Sequence, residues 1–371
     1  MAARKLRTGF TTGTAAAAAA KAALLTLWGQ APARVMVTLP GGGTLGVEVE
    51  RTENLAPGRA RAAVIKDAGD DPDATHRALI LAEVELMETG NRANIVILGG
   101  EGVGVVTRPG LDLPVGQPAI NPTPRDMIRA AIAEAWQQAG PPGSQPQARV
   151  TISVPQGRRL AQKTLNPRLG IEGGISILGT TGLVKPFSHE AYIATIDSGL
   201  KVAAASGARE VVLTTGRRSE KKAMALRPDL PELAFIQMAD FFLHAMEKAA
   251  GMGFAQIGLV SFFGKAVKQA QAHSCTHAHR VPMDLSRLAE WLDQAGAGGE
   301  LTQAVAGANT ARHALEEMRA AGRLDLVPQV GRRLLAAMRG FAGPGPGLWA
   351  VVMDYDGSAL FQGRLAEGAP S

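Results

Sequence analysis

Residues 164–186, TLNPRLGIEGGISILGTTGLVKP, are too polar and glycine-broken for a helix, yet too apolar for an ordinary linker. The segment GGISILGTTG predicts a short buried strand over residues 175–178 between two permissive turns. It also marks a change of grammar. Before it stand short alternating strands; from Tyr192 onward come the longer strand and helix alternations of an open parallel sheet. The fold class expected is therefore α/β and α+β. A strand-rich domain over residues 1–188 joins a Rossmann-like open-sheet domain over 189–371, with the first helix free to pack across the boundary. At the join, Asn166, Arg168, Thr180, Thr181 and Lys185 offer polar groups to acidic or amide functions of a ligand. The competing reading is a tight connector whose glycines serve turn geometry alone.

The chain is long enough, at 371 residues, for two cores, and 46% hydrophobic against 19% charged residues describes a folded globular protein. A balance of +6 permits an anionic ligand without naming one. No Lys/Arg tract or basic-aromatic pattern points to nucleic acid. One cysteine excludes an internal disulfide and a cysteine-rich metal centre. The basic start followed by alanines resembles an export signal, but TGFTTGT interrupts it, and no later stretch suits a membrane span. The expectation is a soluble cytoplasmic protein.

In order, residues 11–28 predict a helix beginning near Thr14 that buries Leu24, Leu25, Leu27 and Trp28; its Thr/Gly leader either caps the helix or meets an anion. Strands follow at ARVMVTLP and around residues 47–49, with GGG as their turn, and another ends at Ile65. The acidic run KDAGDDPDATH lacks calcium-loop spacing and reads as turn closure or as ligand chemistry. LILAEVEL and ANIVIL are strands. GGEGVGVVTRPGL is neither a dinucleotide fingerprint nor a P-loop; there Glu101 could hold an amine or orient a base, and Arg108 could bind a carboxylate. Residues 121–140 form a helix burying Met127, Ile128, Ala131, Ile132, Ala135 and Trp136, and ARVTISVP is a strand.

In the second half, a helix over SHEAYIATIDSGLKVAAASG leads to a strand at residues 211–213. A turn at 214–216 and a helix from Ser219 follow, the geometry that sets a ligand at a sheet's carboxyl edge. Asp240 reaches a similar edge and could accept hydroxyls. SFFGKAVKQAQAH repeats the transition, with Gly264 for close contact and Lys265 and Lys268 for anions, or else an exposed basic helix. The HSCTHAH stretch, with His273, Cys275, His277 and His279, lacks a closed metal-ligand pattern, so no protein-bound metal is expected; His277 could orient a ligand or move a proton. Helices are expected around 287–294 and 309–320, and a returning strand at LWAVVMDYDG. Its Asp354 and Asp356 read as a solvated strand end rather than a paired-carboxylate site. No nucleophile elbow or HExxH occurs.

Taken together, RTGFTTGTAAAAAAKAA, IKDAGDDPDATH, GGEGVGVVTRPGL, NPTPRDMI, LNPRLGIEGGISILGTTGLVKPFS, LTTGRRSE, FFGKAVKQA and ANTARHALEE resemble, in order, the cobalt-precorrin-5B C1-methyltransferase family, CbiD. The resemblance covers about residues 7–320. It implies transfer of a methyl group from S-adenosylmethionine to C1 of cobalt-precorrin-5B in anaerobic cobalamin biosynthesis, with cobalt carried within the substrate. On that basis Thr215, Gly216, Asp240 and Gly264 are expected on the S-adenosylmethionine side. Arg108, Arg168, Thr180, Thr181 and Lys185 are expected on the corrinoid side, and Glu101, Asp67 and His277 as acid or base. Contact with neighbouring pathway enzymes and homo-oligomerisation are compatible with this reading. Ala15 stands where the family commonly has cysteine, and SCTHAHR replaces a more usual Asn-Thr-His-Ser-like run, so Cys275 and Ala278 could alter specificity. The alternatives are a methyltransferase for a metal-free or related corrinoid, a reductase with an atypical nucleotide site, and a non-enzymatic corrinoid carrier.

Overall fold

The computed structural model describes residues 6–88, 93–277 and 281–368 and divides into two compact units, Met1–His189 and Glu190–Ser371. In the first, β1 (Arg51–Ala56), β2 (Arg59–Ile65), β3 (Leu79–Leu86), β4 (Asn94–Gly99) and β5 (Gln147–Ser153) make one sheet in the order β1-β2-β3-β5-β4. Only β4 and β5 run parallel. The alternation in LILAEVEL buries Ile80, Ala82 and Val84 on one face, as a half-buried strand requires.

Helix α1 (Thr12–Leu27) lies against β2, β3 and α2 (Pro122–Ala139). It begins two residues before the expected start, where the Thr11 hydroxyl accepts the Thr14 N–H. Burial extends far beyond its leucine-rich half: every residue from Thr12 to Thr26 is buried, Lys21 included. The alanine run explains this, because side chains of one carbon let a helix sit close to a sheet and a second helix at once. In α2 the six apolar positions expected from periodicity are all buried. The hairpin of Arg34–Thr38 and Thr44–Glu48 turns through GGG as expected.

The join differs from its expectation. Ile175, Ser176 and Ile177 are buried, but they form isolated bridges to Val103 and Ile120 rather than a strand, and Leu178 is 49% exposed. Gly173 and Gly179, at φ 81° and 134°, turn the backbone out of a ladder on either side. Regular pairing occurs instead at Ile171–Glu172 with Val105–Val106 and at Leu183–Val184 with Gly9–Phe10.

The second unit contains α3 (His189–Ala205), β6 (Glu210–Thr214), α4 (Arg217–Leu226), β7 (Phe235–Gln237), α5 (Phe242–Gly251), β8 (Gln256–Phe262) and α6 (Phe263–Ala270). After these come α7 (Leu285–Asp293), α8 (Gly299–Ala306), α9 (Ala311–Ala320), α10 (Pro328–Ala342), β9 (Gly347–Met353) and β10 (Ala359–Leu365). The sheet order is β7-β6-β8-β9-β10, parallel except for β10. Its parallel strands β6 to β9 are buried on both faces, whereas the edge strand β10 is not. Val212, Phe235, Val260 and Val351 meet Ala223 of α4, while Val211, Leu213, Leu259 and Ala350 face the core shared with α3, α5, α6 and α10.

Two expectations from sequence are corrected here. α6 is not an exposed basic helix: Lys268 is buried and donates to the Val281 carbonyl at 2.7 Å. Asp354 is not solvated but 6% exposed and paired with Arg319, whereas Asp356 is exposed. Among the described residues, no helix is long and apolar enough to cross a membrane.

Candidate functional site

The polar groups that the sequence singled out fall into two sets, each within its own unit. In the second unit, β6 ends at Thr214 and α4 begins at Arg217, so the chain turns in two residues, Thr215 and Gly216. Gly216 has φ 151° and ψ −178°, a region essentially restricted to glycine, and the space where a Cβ would stand is open. The Thr215 N–H donates to Ser219 Oγ at 3.0 Å, and that hydroxyl donates to the Gly216 carbonyl at 2.9 Å, so the turn is braced from inside the helix.

At the next strand end, Ala239 adopts φ 49°, a left-handed conformation costly for a residue with a Cβ, and Asp240 follows it. Lys265, in the first turn of α6, ties the edges together. Its ammonium lies 3.1 Å from Asp240 Oδ1 and donates to the carbonyls of Ala239 at 3.2 Å and Thr215 at 3.5 Å. Asp240 Oδ1 also accepts the Thr276 hydroxyl at 2.8 Å. Burial alone would raise the Asp240 carboxyl; the Lys265 charge, the Thr276 hydroxyl and nearby His277 outweigh it and hold the group below the ordinary carboxylate range. Asp240 is therefore an ionised acceptor. Among the described residues its Oδ2 accepts no hydrogen bond.

Thr215, Gly216, Asp240 and Gly264 thus stand at the carboxyl ends of three adjacent strands. At Gly264 the neighbouring space is filled from the protein side: a Cβ there would come within 2.8 Å of the Tyr355 hydroxyl. Tyr355 was not among the sequence candidates. Its signal was positional, two residues beyond the end of β9 at the same sheet edge. His277 is half-buried, its carbonyl accepting from Val281 N–H at 3.0 Å. Cys275 is a free, half-buried thiol, while Ala278 and His279 lie outside the described residues. Among the described residues no His, Cys, Asp and Glu set could hold a metal ion.

In the first unit, pairing of Val105–Val106 with Ile171–Glu172 brings GGEGVGVVTRPGL against the join. Arg108 lies over Gly170, and Thr107 donates to the Gly170 carbonyl at 3.0 Å; Arg168 is two residues away and half-buried. Glu101 is exposed, and its carbonyl accepts the Val154 N–H at 2.7 Å. Thr180, Thr181 and Lys185 are exposed on the following loop, where Thr181 bonds within its own turn to Leu183.

Several groups expected to face a ligand are instead consumed by the protein. A Cβ on Gly102 would meet the Val154 carbonyl at 1.9 Å, and one on Gly174 would meet the Gly102 carbonyl at 2.0 Å, so these glycines permit contact of backbone with backbone. The Thr/Gly leader likewise caps its helix: Gly13 N–H donates to the Leu178 carbonyl, Thr14 Oγ to the Gly182 carbonyl, and Thr12 Oγ accepts the Leu178 N–H. Asn166 is buried, donating to the Gly174 carbonyl at 3.1 Å. The acidic run closes its turn through buried Lys66 and part-buried Asp73, 2.5 Å apart. Hydrogen bonds from Arg7 hold Asp67 at about 2, which makes it a poor proton acceptor at neutral pH.

Comparison with known proteins follows this division. The family description CbiD matches residues 1–186, and CbiD, C-terminal domain, matches residues 275–364. The cobalt-precorrin-5B C(1)-methyltransferase of Nitratidesulfovibrio vulgaris is 46% identical, over 96% of this chain and 92% of its own. The protein of the same name from Geobacillus kaustophilus is 48% identical over 86% and 84%. A crystal structure of the cobalamin biosynthesis protein (cbiD) from Archaeoglobus fulgidus is 27% identical, covering 85% of each chain, with a TM-score of 0.39. With a family match across half its length and such identity across nearly all of it, the chain belongs to the CbiD family.

Proposed function

We propose that this protein transfers a methyl group from S-adenosylmethionine to C1 of cobalt-precorrin-5B, leaving S-adenosylhomocysteine and cobalt-precorrin-6A. The observation that carries the reading is identity of 46–48%, over most of both chains, to proteins named for this reaction. Cobalt belongs to the substrate in this account.

The second unit is read as a Rossmann-like domain for the methyl donor. Its strand order reverses between β6 and β8, and open α/β sheets take ligands outside the carboxyl ends of the strands at such a reversal. The groups there suit the donor's parts. Asp240 presents an ionised oxygen for ribose hydroxyls, and the open side of Gly216, with Thr215, admits a ligand close to main chain. Lys265 holds Asp240 and the Thr215 carbonyl in fixed relation, so these contacts are set before binding. Bound there, the donor supplies an electrophilic methyl on sulfonium. The protein's task is to orient this group and exclude water, and orientation of this kind is worth up to roughly 7–11 kcal/mol in well-organised reactions.

The first unit is read as the corrinoid-facing domain, with Arg108, Arg168 and Lys185 toward peripheral carboxylates and Thr180 and Thr181 for finer positioning. Of the acid or base candidates, Glu101 and His277 are retained. Asp67 is set aside because the Arg7 pair fixes it as an anion. A cytoplasmic location fits the single cysteine and the lack, among the described residues, of a membrane-crossing helix.

Anaerobic incubation with cobalt-precorrin-5B and methyl-labelled S-adenosylmethionine tests the reaction. One labelled methyl at C1, with S-adenosylhomocysteine formed in equal amount, is expected. Corrinoid binding without that product would favour the carrier, and turnover on the metal-free macrocycle alone would favour the related methyltransferase.

A further inference from the structure

The carboxyl edge of the second unit's sheet carries a feature to which the proposed donor contacts assign no part. Phe262, the last residue of β8, stacks on Tyr355 with ring centroids 6.4 Å apart and planes 10° from parallel. A guanidinium lies on each ring: Arg218 4.9 Å from the Phe262 centroid and Arg312 4.3 Å from that of Tyr355. Arg218 is pinned further by donation from Nη2 to the Tyr355 carbonyl at 2.9 Å.

Arginine over a ring is common, and by itself indicates nothing. What separates these two is free donors combined with a place at the strand ends: Arg287, 5.5 Å from the Trp291 centroid, also donates no side-chain hydrogen bond among the described residues, but it lies on α7, away from any strand end. Arg227, stacked on Trp349, is spent on Glu210 and Asp229, and Arg333, stacked on Trp291, donates to Gln294 and Gln329. Among the described residues, Arg312 donates no hydrogen bond and Arg218 only the one to Tyr355, and both side chains are exposed. The nearby acids do not fill them: Asp354 is held by Arg319, Asp356 accepts from Ser358, and Glu316, one turn along α9 from Arg312, forms no ion pair among the described residues. Stacking has already restricted both guanidiniums, so a ligand that meets their free edges pays little further ordering entropy.

We infer that Arg218 and Arg312, held flat on the Phe262–Tyr355 stack, form a clamp for peripheral carboxylates of the macrocyclic substrate. The inference rests on the proposed methyl transfer for the identity of that substrate. Two guanidiniums on separate rings can each take a carboxylate of their own. A corrinoid carries several around its rim, whereas S-adenosylmethionine has one. The stack adjoins the donor site through the Tyr355 hydroxyl beside Gly264 and through Arg218, two residues beyond Gly216. It thus offers the macrocycle an anchor on the same sheet edge as the methyl donor. Arg218 and Arg312 are positioning residues in this role.

The test compares Arg218→Gln, Arg312→Gln and the corresponding lysine variants with the parent protein. Corrinoid affinity is titrated by absorbance with cobalt-precorrin-5B, and S-adenosylhomocysteine affinity by calorimetry. Each glutamine variant should weaken corrinoid binding about tenfold or more, the loss of a charge-assisted fork, with cofactor affinity within about twofold of the parent. Lysine should recover part of the loss, since it restores charge without the fork. Added salt should weaken corrinoid binding by the parent more steeply than by the glutamine variants. Because binding is read without turnover, the clamp is tested even if methyl transfer fails. Unchanged corrinoid affinity in folded variants overturns the inference, as does a loss confined to S-adenosylhomocysteine, which would assign the arginines to the cofactor's carboxylate. Thermal melts verify folding, and if a glutamine variant does not fold, its lysine counterpart carries the test: fully parental corrinoid affinity there, despite loss of the fork, would overturn the clamp.

Discussion

Replacing Asp240 by Asn separates what this carboxylate does for the fold from what it does for a ligand. In the fold it faces Lys265 at 3.1 Å, with the two side chains 25% and 34% exposed, and it accepts the Thr276 hydroxyl. A pair this open to solvent is worth about 1 kcal/mol after screening, and Asn keeps an acceptor for Thr276. The melting temperature of the second unit should therefore fall by only about 2–4 °C. Loss of a charged acceptor for a ribose hydroxyl is larger, about 1.5–3 kcal/mol, so the Kd for S-adenosylmethionine should rise about 10- to 150-fold. The carboxyl is depressed in the fold. Its contribution to stability is thus complete above the ordinary aspartate range and lost as pH falls through the lower folded value. The melting difference between parent and D240N should hold steady from about pH 8 to 5 and shrink below about pH 4. Calorimetric titration alongside thermal melts reads both effects. Unchanged cofactor affinity in a protein with the small expected melting shift would falsify the assignment of Asp240 to the donor site.

Gly216→Ala meets no steric obstacle but must hold a backbone region natural to glycine. It should cost about 1–3 kcal/mol in thermal stability and also weaken cofactor binding; neutrality in both measurements removes Gly216 from the site. Gly102→Ala forces a Cβ toward the Val154 carbonyl at 1.9 Å, so the first unit should lose at least about 3 kcal/mol in denaturant unfolding, and a soluble variant of normal stability would contradict the backbone packing described. Lys66→Ala strands Asp73 beside an emptied buried site and should cost about 3–5 kcal/mol. Burial would raise the Asp73 carboxyl, but the Lys66 charge and the Lys66 and Thr75 hydrogen bonds hold it low, so this contribution should fade as pH drops below the ordinary aspartate range; a melting curve insensitive to that descent argues against the pair.

Periodicity was most informative where an element has one buried face. All six apolar positions expected in α2 are buried, and the alternation of LILAEVEL fits its place in the sheet. It was least informative for α1, because a helix buried all round has no polar stripe to display, and alanine's preference for helix does not say how deeply the helix lies. α10 was overlooked although its signals were present: proline in the first turn, Leu334, Leu335 and Met338 on one face, and Gly343 after the end. The glycine loops show the limit most directly. Gly102, Gly174 and Gly216 look alike in sequence, yet two make room for backbone and one opens on solvent, a difference set by partners distant along the chain. Tyr355 went unnoticed for the same reason, since its nearness to Gly264 arises from parallel pairing of β8 with β9.

Photolabelling most directly tests whether the carboxyl edge of the second unit's sheet holds the methyl donor. The intact protein would be irradiated with radiolabelled S-adenosylmethionine, with and without excess S-adenosylhomocysteine, and its peptides mapped. The account predicts label on peptides containing residues 214–218, 238–241 or 262–265, suppressed by the competitor. Competitor-sensitive label confined to residues 1–188 would contradict it.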